Sequence, residues 1–223
     1  MKKIICLFSL LLAVAPAAEA VAVTGRVRVT GRSAQADAVT IVYAEPLDRA
    51  LAQPGTYTIS QRDKIFSPRV LPVSAGSTVQ FPNDDLIFHN VFSLSRPGPF
   101  DLGLYRAGAT KSRVFMAPSA YRIFCNIHPQ MTAIVLVLPT PHFTEADTAG
   151  VYQLDLPAGR YRITVWSERS DPSSQEVTVG TGPVMAPELS LNESQFVELA
   201  HRNKFGLDYV NIAYDPVRDR KPR

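Results

Sequence analysis

At 223 residues, 46% of them hydrophobic and 9% aromatic, the chain is long enough to bury one large core or two small ones. Its 12 glycines and 18 prolines fit many short strands joined by turns, and neither a fibrous protein nor a repeat array is indicated. Lys plus Arg number 23 against 20 acidic residues, a net charge of +3, and so scattered an excess calls for no nucleic-acid partner.

The first residues have the layout of a secretion signal. Lys2 and Lys3 precede an apolar run from Ile4 to Val14, followed by Pro16 and the small-residue pattern Ala18-Glu19-Ala20. That run falls well short of the roughly 20 apolar residues that span a bilayer. The reading is a cleaved signal over residues 1–20, a mature chain starting near Val21, export to the periplasm and no membrane span in the mature protein. Cys6 leaves with the signal, so Cys125 becomes the single cysteine. A lone thiol in an exported chain has no intramolecular disulfide partner; it is either inert in a core or kept for chemistry.

Past the signal, Val23 to Val29 alternates apolar and polar residues, and Ala38 to Tyr43 is a second β-branched run across a Gly/Ser/Asp turn, which predicts a hairpin. A polar, proline-containing connection from Glu45 to Tyr57 leads into a strand from Phe66 to Val73, where Pro68 and Pro72 point to a sheet edge. After the turn Ala75-Gly76-Ser77 comes Thr78 to Phe81. Tyr121, Ile123 and Cys125 then share one strand face by the period of two. The run Ala133 to Leu138 has no polar position and predicts a strand buried on both faces. Two further strands, Gly150 to Leu156 and Tyr161 to Trp166, flank the turn Pro157-Ala158-Gly159, and a last one lies near Gln175 to Val179. Glu193 to Arg202 reads as a short helix capped by Asn192 or Ser194.

The chemistry is concentrated in Cys125-Asn126-Ile127-His128-Pro129-Gln130-Met131, a Cys-x2-His-x2-Met spacing between two strands, with His89 upstream in Phe88-His89-Asn90-Val91. Two imidazoles, one thiolate and a weak thioether form the donor set of a blue-copper electron-transfer centre. Soft sulfur favours Cu(I), imidazole serves both oxidation states, and a short loop holds three donors near one geometry. Taken singly, Cys125 and Met131 are ordinary core residues and His89 an ordinary turn residue; the spacing makes them a candidate set.

These residues resemble the ligand loop of the cupredoxins, with the loop spacing of the amicyanin type; plastocyanins are similar but have a longer gap from the second His to Met. The resemblance covers about Ile59 to Leu138. It implies one type 1 copper ion held by His89, Cys125, His128 and Met131, with His128 as the electron port and Asn90 bracing the loop by a hydrogen bond. Flanking segments Phe81-Pro82-Asn83, Phe100-Asp101-Leu102-Gly103 and Asn203-Lys204-Phe205-Gly206 resemble bacterial plastocyanin-like or methylamine-utilisation proteins. Thr148 to Tyr152 and Leu156 to Tyr161, with the opening strands, resemble the transthyretin-type sandwich found beside carboxypeptidases.

The expected architecture is therefore all-β. A cupredoxin Greek-key β-sandwich over residues 55–138 is inserted into a transthyretin-like β-sandwich built from residues 21–46 and 139–182, and a C-terminal helix or tail covers 183–223. The functional expectation is a non-enzymatic one-electron carrier between redox partner proteins, such as a dehydrogenase and a cytochrome. The alternatives are a copper storage, delivery or resistance protein, or a structural or carbohydrate-binding sandwich. The former calls for His- or Met-rich tracts, and the chain holds 4 His and 4 Met. His142 and His201 read as surface residues, and Met116 as part of a core strand.

Overall fold

The computed structural model describes residues 19–32, 38–197 and 201–209, and these residues are all-β. All but the last two residues of the expected signal lie outside them. Among the described residues no helix is long and apolar enough to cross a membrane.

In chain order the strands are β1 (Val21–Thr30), β2 (Ile41–Pro46), β3 (Thr56–Thr58), β4 (Ser60–Arg62), β5 (Ile65–Ser67), β6 (Val70–Ser74) and β7 (Ser77–Pro82). They continue with β8 (His89–Ser93), β9 (Phe100–Tyr105), β10 (Thr110–Phe115), β11 (Ser119–Phe124), β12 (Thr132–Leu138) and β13 (Phe143–Glu145). The last are β14 (Val151–Leu156), β15 (Gly159–Ser167), β16 (Ser170–Val179), β17 (Val184–Met185) and β18 (Leu189–Asn192).

Two sheets share the core of one sandwich. In the first, β1 pairs antiparallel with β14, Gly25 facing Tyr152, and parallel with β17 and β18. The second has the order β13-β2-β15-β16. Alternation along the strands sends Val23 and Val27 of β1, Leu154 and Leu156 of β14, and Ile163 and Val165 of β15 into one buried cluster. Gly150 lets its segment approach β1 closely: it adopts φ 78°, its carbonyl accepts from Val27 N at 2.7 Å, and a Cβ there would lie 2.1 Å from the Val27 carbonyl oxygen.

The hairpin expected from β1 and β2 does not form; the two strands lie in different sheets. Both have the composition of half-buried strands, but each has a more extensive partner far along the chain, β14 for β1 and β15 for β2. The C-terminal helix is also absent from the described part of 193–202. Glu193 is drawn into the protein instead. Its buried carboxylate accepts from Arg32 Nη2 and Ser167 Oγ, both at 2.6 Å, and Asn192 Oδ1 ties Ser194 N into a turn at 3.0 Å.

The segment between β2 and β13 forms the other sandwich, with a five-stranded sheet β6-β12-β11-β8-β9 opposite a three-stranded sheet β10-β7-β3. Its core gathers Val79, Phe81, Val91, Phe115, Tyr121, Ile123 and Cys125. Proline-bearing β6 lies at the edge of its sheet. Met116 departs from expectation: Phe115 ends β10 in the core, while Met116 is 71% exposed.

Strand β12 has no solvent face because its two sides belong to different cores. Ala133, Val135 and Val137 point into the second sandwich, whereas Ile134, Leu136 and Leu138 pack with Ile41 of β2, flanked by Tyr43, Phe143 and Trp166. An ion pair between Arg69 and Glu168 crosses the same seam.

Candidate metal centre

The end of the second sandwich holds the candidate residues. His89 opens β8 and is fully buried. Cys125 follows β11 on the face already defined by Tyr121 and Ile123, and it too is fully buried. The loop from Cys125 is closed on itself: Met131 N donates to the His128 carbonyl at 3.0 Å, and Cys125 N to the Met131 carbonyl at 3.2 Å. This closure sets Met131, fully buried among the core residues around Cys125, at the root of β12 and leaves His128 half-buried at the loop crest.

One potential ligand atom each from His89, Cys125 and His128 lies within 4.8 Å of the other two. The Nδ1 atoms of His89 and His128 are 3.1 Å apart, and Cys125 Sγ lies 3.7 Å from His128 Nδ1. Metal bonds of about 2.0 Å to nitrogen and about 2.3 Å to sulfur separate two nitrogens by roughly 3.3 Å, and nitrogen from sulfur by roughly 3.5 Å, in a tetrahedral arrangement. The observed spacings suit one transition-metal ion with a soft and borderline donor set.

His89 is oriented by a residue that sequence reasoning missed. Its Nε2 lies 2.6 Å from Asp85 Oδ2, so a carboxylate there holds the proton on Nε2 and leaves the Nδ1 lone pair facing the cluster. Asp85 is itself fixed by backbone amides: Asp63 N donates to Oδ1 at 2.6 Å and Lys64 N to Oδ2 at 3.0 Å. Asp63 and Lys64 form the turn between β4 and β5 with φ of 54° and 58°, the left-handed pair of a two-residue hairpin, and the carboxylate collects the amides that this conformation presents. Burial opposes ionisation of Asp85, but the Lys64 amide, His89 and the Asp63 amide together hold its carboxyl below the usual range.

His128 is pushed below the usual imidazole range, first by burial and then by the positive charge of His89 and Lys64, with Asp85 opposing. Its neutral form is the one that ligates metal.

The flanking segments also converge here. Asn83 is buried and shapes the loop that carries Asp85: its Nδ2 donates to the Ile87 carbonyl at 2.8 Å, and its Oδ1 accepts from Asp85 N at 3.1 Å. Asn90 does not reach the ligand loop as expected; its Nδ2 donates to Asp101 Oδ1 on β9 at 2.7 Å. The competing acceptor is a carboxylate on the neighbouring strand, which makes the stronger hydrogen bond. His201, read as a surface residue, is half-buried against the loop, with Nε2 2.6 Å from the Pro129 carbonyl and its ring stacked on Phe124. His142 lies in the first sandwich, half-buried and edge-on to Tyr161. Leu86, Phe88 and Ile127 are large exposed apolar side chains on the two loops that carry the site.

No protein-family model matches the chain, and no curated protein matches it. Similar solved structures include the copper-containing nitrite reductase of Thermus scotoductus SA-01, at 27% identity over 41% of this chain and 26% of that one, with a TM-score of 0.36. The chain thus spans about a quarter of that enzyme's length. A purple cupredoxin from Nitrosopumilus maritimus is 26% identical over 37% of this chain and 99% of its own, with a TM-score of 0.34. A mutant of amicyanin, in a reduced Cu(I) form, is 20% identical over 43% of this chain and 99% of its own, with a TM-score of 0.36.

Proposed function

We propose that the chain is a cupredoxin-type, type 1 copper protein that carries single electrons between redox proteins in the periplasm. The observation that carries this reading is the convergence of His89 Nδ1, His128 Nδ1 and Cys125 Sγ at the end of one sandwich. Copper bound there would supply one-electron redox chemistry by cycling between Cu(I) and Cu(II). Cys125 provides the soft thiolate from a buried, strand-anchored position, and the two imidazoles provide donors acceptable to both oxidation states. Met131, one residue before β12, is the candidate weak axial donor.

The residues around these donors favour transfer over catalysis. Asp85 fixes the His89 ring and its tautomer, and burial keeps water from His89 and Cys125. His128 is the donor nearest solvent, and the apolar Ile127 beside it, 46% exposed, suits brief docking of a partner protein. With 4 histidines in the whole chain, two of them in this cluster, the chain alone cannot supply the several further histidines of a second catalytic copper. The other sandwich is proposed to be of the transthyretin type.

The test is an optical and redox one. Copper-loaded protein should show a strong visible thiolate-to-Cu(II) band and reversible one-electron reduction. Cys125→Ser should lose the band and keep its circular dichroism spectrum, because a hydroxyl does not replace the thiolate while the flanking apolar strands still hold the fold. A colourless Cu(II) form of the wild type would overturn the proposal.

A further inference from the structure

Residues 201–209 lie across the outside of the ligand loop and touch it at three consecutive points. Tyr209 Oη donates to the Cys125 carbonyl at 2.8 Å, Lys204 N donates to Asn126 Oδ1 at 3.0 Å, and His201 Nε2 meets the Pro129 carbonyl at 2.6 Å. Behind these bonds the His201 ring stacks on Phe124, centroids 4.2 Å apart, and meets Tyr209 edge-on at 5.2 Å. The segment keeps its own shape through Asn203, whose Oδ1 accepts from Phe205 N at 2.9 Å and Leu207 N at 3.1 Å.

Lys204 does a second thing. Its Nζ lies 2.6 Å from Asp101 Oδ2, and the other oxygen of that carboxylate accepts from Asn90 Nδ2 at 2.7 Å and Gly103 N at 2.8 Å. Asn90 is the residue after His89. A polar chain therefore runs from β8 through Asn90, Asp101 and Lys204 to Asn126, and joins the strand that bears His89 to the loop that bears Cys125 and His128. The segments Phe100 to Gly103 and Asn203 to Gly206, far apart in sequence, are the two ends of this cross-tie.

We propose that residues 201–209 are an outer brace of the site, with Lys204 and Tyr209 as positioning residues that hold the Cys125 to Met131 loop in register with His89. The inference rests on the copper reading for its purpose, but the brace itself is a property of the metal-free chain. The bonds go to the carbonyls of Cys125 and Pro129 and to the side chain of Asn126, so the brace restrains the backbone that carries the donors and leaves the donor atoms free. The three contacts span the loop from its first residue to the one after His128.

The test uses the full chain as Lys204→Met, Tyr209→Phe and the double variant, with Lys204→Arg as the conservative control. In metal-free protein, alkylation of Cys125 by iodoacetamide, read at that residue by mass spectrometry, reports local opening because the thiol is fully buried. Each single variant should speed alkylation about threefold, as expected for a part-exposed ion pair or one neutral hydrogen bond, and the double variant about tenfold. Lys204→Arg should return the rate to near that of wild type, while Glu193→Gln, which loosens the other sandwich, should leave the rate unchanged. In Cu(II)-loaded protein, release to a chelator should accelerate by the same factors. A double variant alkylated within about twofold of wild type overturns the brace, as does an equal acceleration by Glu193→Gln, which would make the opening global rather than local. If wild type takes up no copper, the functional proposal falls while the alkylation series still decides the brace.

Discussion

Asp85→Asn is the sharpest probe of how the site is built. Three N–H groups converge on the two carboxylate oxygens: His89 Nε2 at 2.6 Å, Asp63 N at 2.6 Å and Lys64 N at 3.0 Å. An asparagine offers one oxygen and one NH2 group, so at least one of these donors is left facing another donor. His89 is fully buried and the Asp85 side chain is 13% exposed, so water makes up little of the loss. A hydrogen bond to a charged group contributes about 1.5–3 kcal/mol, and metal-free protein should lose about that much stability on urea unfolding. Copper affinity, read by chelator competition, should fall about 10- to 100-fold, because the His89 tautomer and ring orientation are no longer fixed. The pH dependence has a definite sign. The folded-state pKa of Asp85 lies below its ordinary value, so its stabilisation is present above that ordinary value and fades as pH falls through the lower folded one. Wild type and Asp85→Asn should therefore differ most near neutrality and converge in acid. Equal copper affinity in the two proteins would refute the reasoning, because His89 would then need no anion behind it.

Two further outcomes are expected. Met131→Leu should retain copper and raise the reduction potential in a redox titration, since a weak axial donor helps Cu(II) more than Cu(I); complete loss of metal would make the thioether a primary anchor instead. Glu193→Gln should cost about 3–5 kcal/mol at neutral pH by urea unfolding, because it breaks a fully buried carboxylate away from Arg32. Burial opposes ionisation of Glu193 but Arg32, Ser167 and Arg169 outweigh it and lower its pKa, so this cost should shrink as pH falls through the folded value. An equal penalty in strong acid would count against the ion-pair account.

The convergence of His89, Cys125 and His128 was legible in the chain because two of the three sit in one short loop and strand period alone fixes where Cys125 points. The supports of the site were hidden for the opposite reason. Asp85 gains its meaning from the turn at Asp63 and Lys64, more than twenty residues upstream, and an Asp-Lys pair is a poor advertisement for a left-handed hairpin turn. Lys204 and Tyr209 act at separations of 78 and 84 residues from Asn126 and Cys125. Alternation likewise revealed that β1 and β2 are strands, yet it carries no information about partners. Their neighbours were set by the closing of a sandwich around a shared core, which local pattern does not encode. Glu193 was misread because helix signals are weak beside a buried carboxylate already claimed by Arg32 and Ser167.

The double-faced strand β12 gives the molecule a mechanical property. Met131 precedes it by one residue, and every second side chain along it, Ile134, Leu136 and Leu138, is embedded in the seam with β2. The ligand loop is thus clamped at its exit by a rod whose far side is gripped by the other half of the protein. A shift of that rod by one residue would exchange its two sets of side chains and present each core with residues shaped for the other. Sliding is therefore blocked by both halves at once, and the stiffness of the end that holds His89, Cys125 and His128 is partly borrowed from a sheet that supplies none of the three.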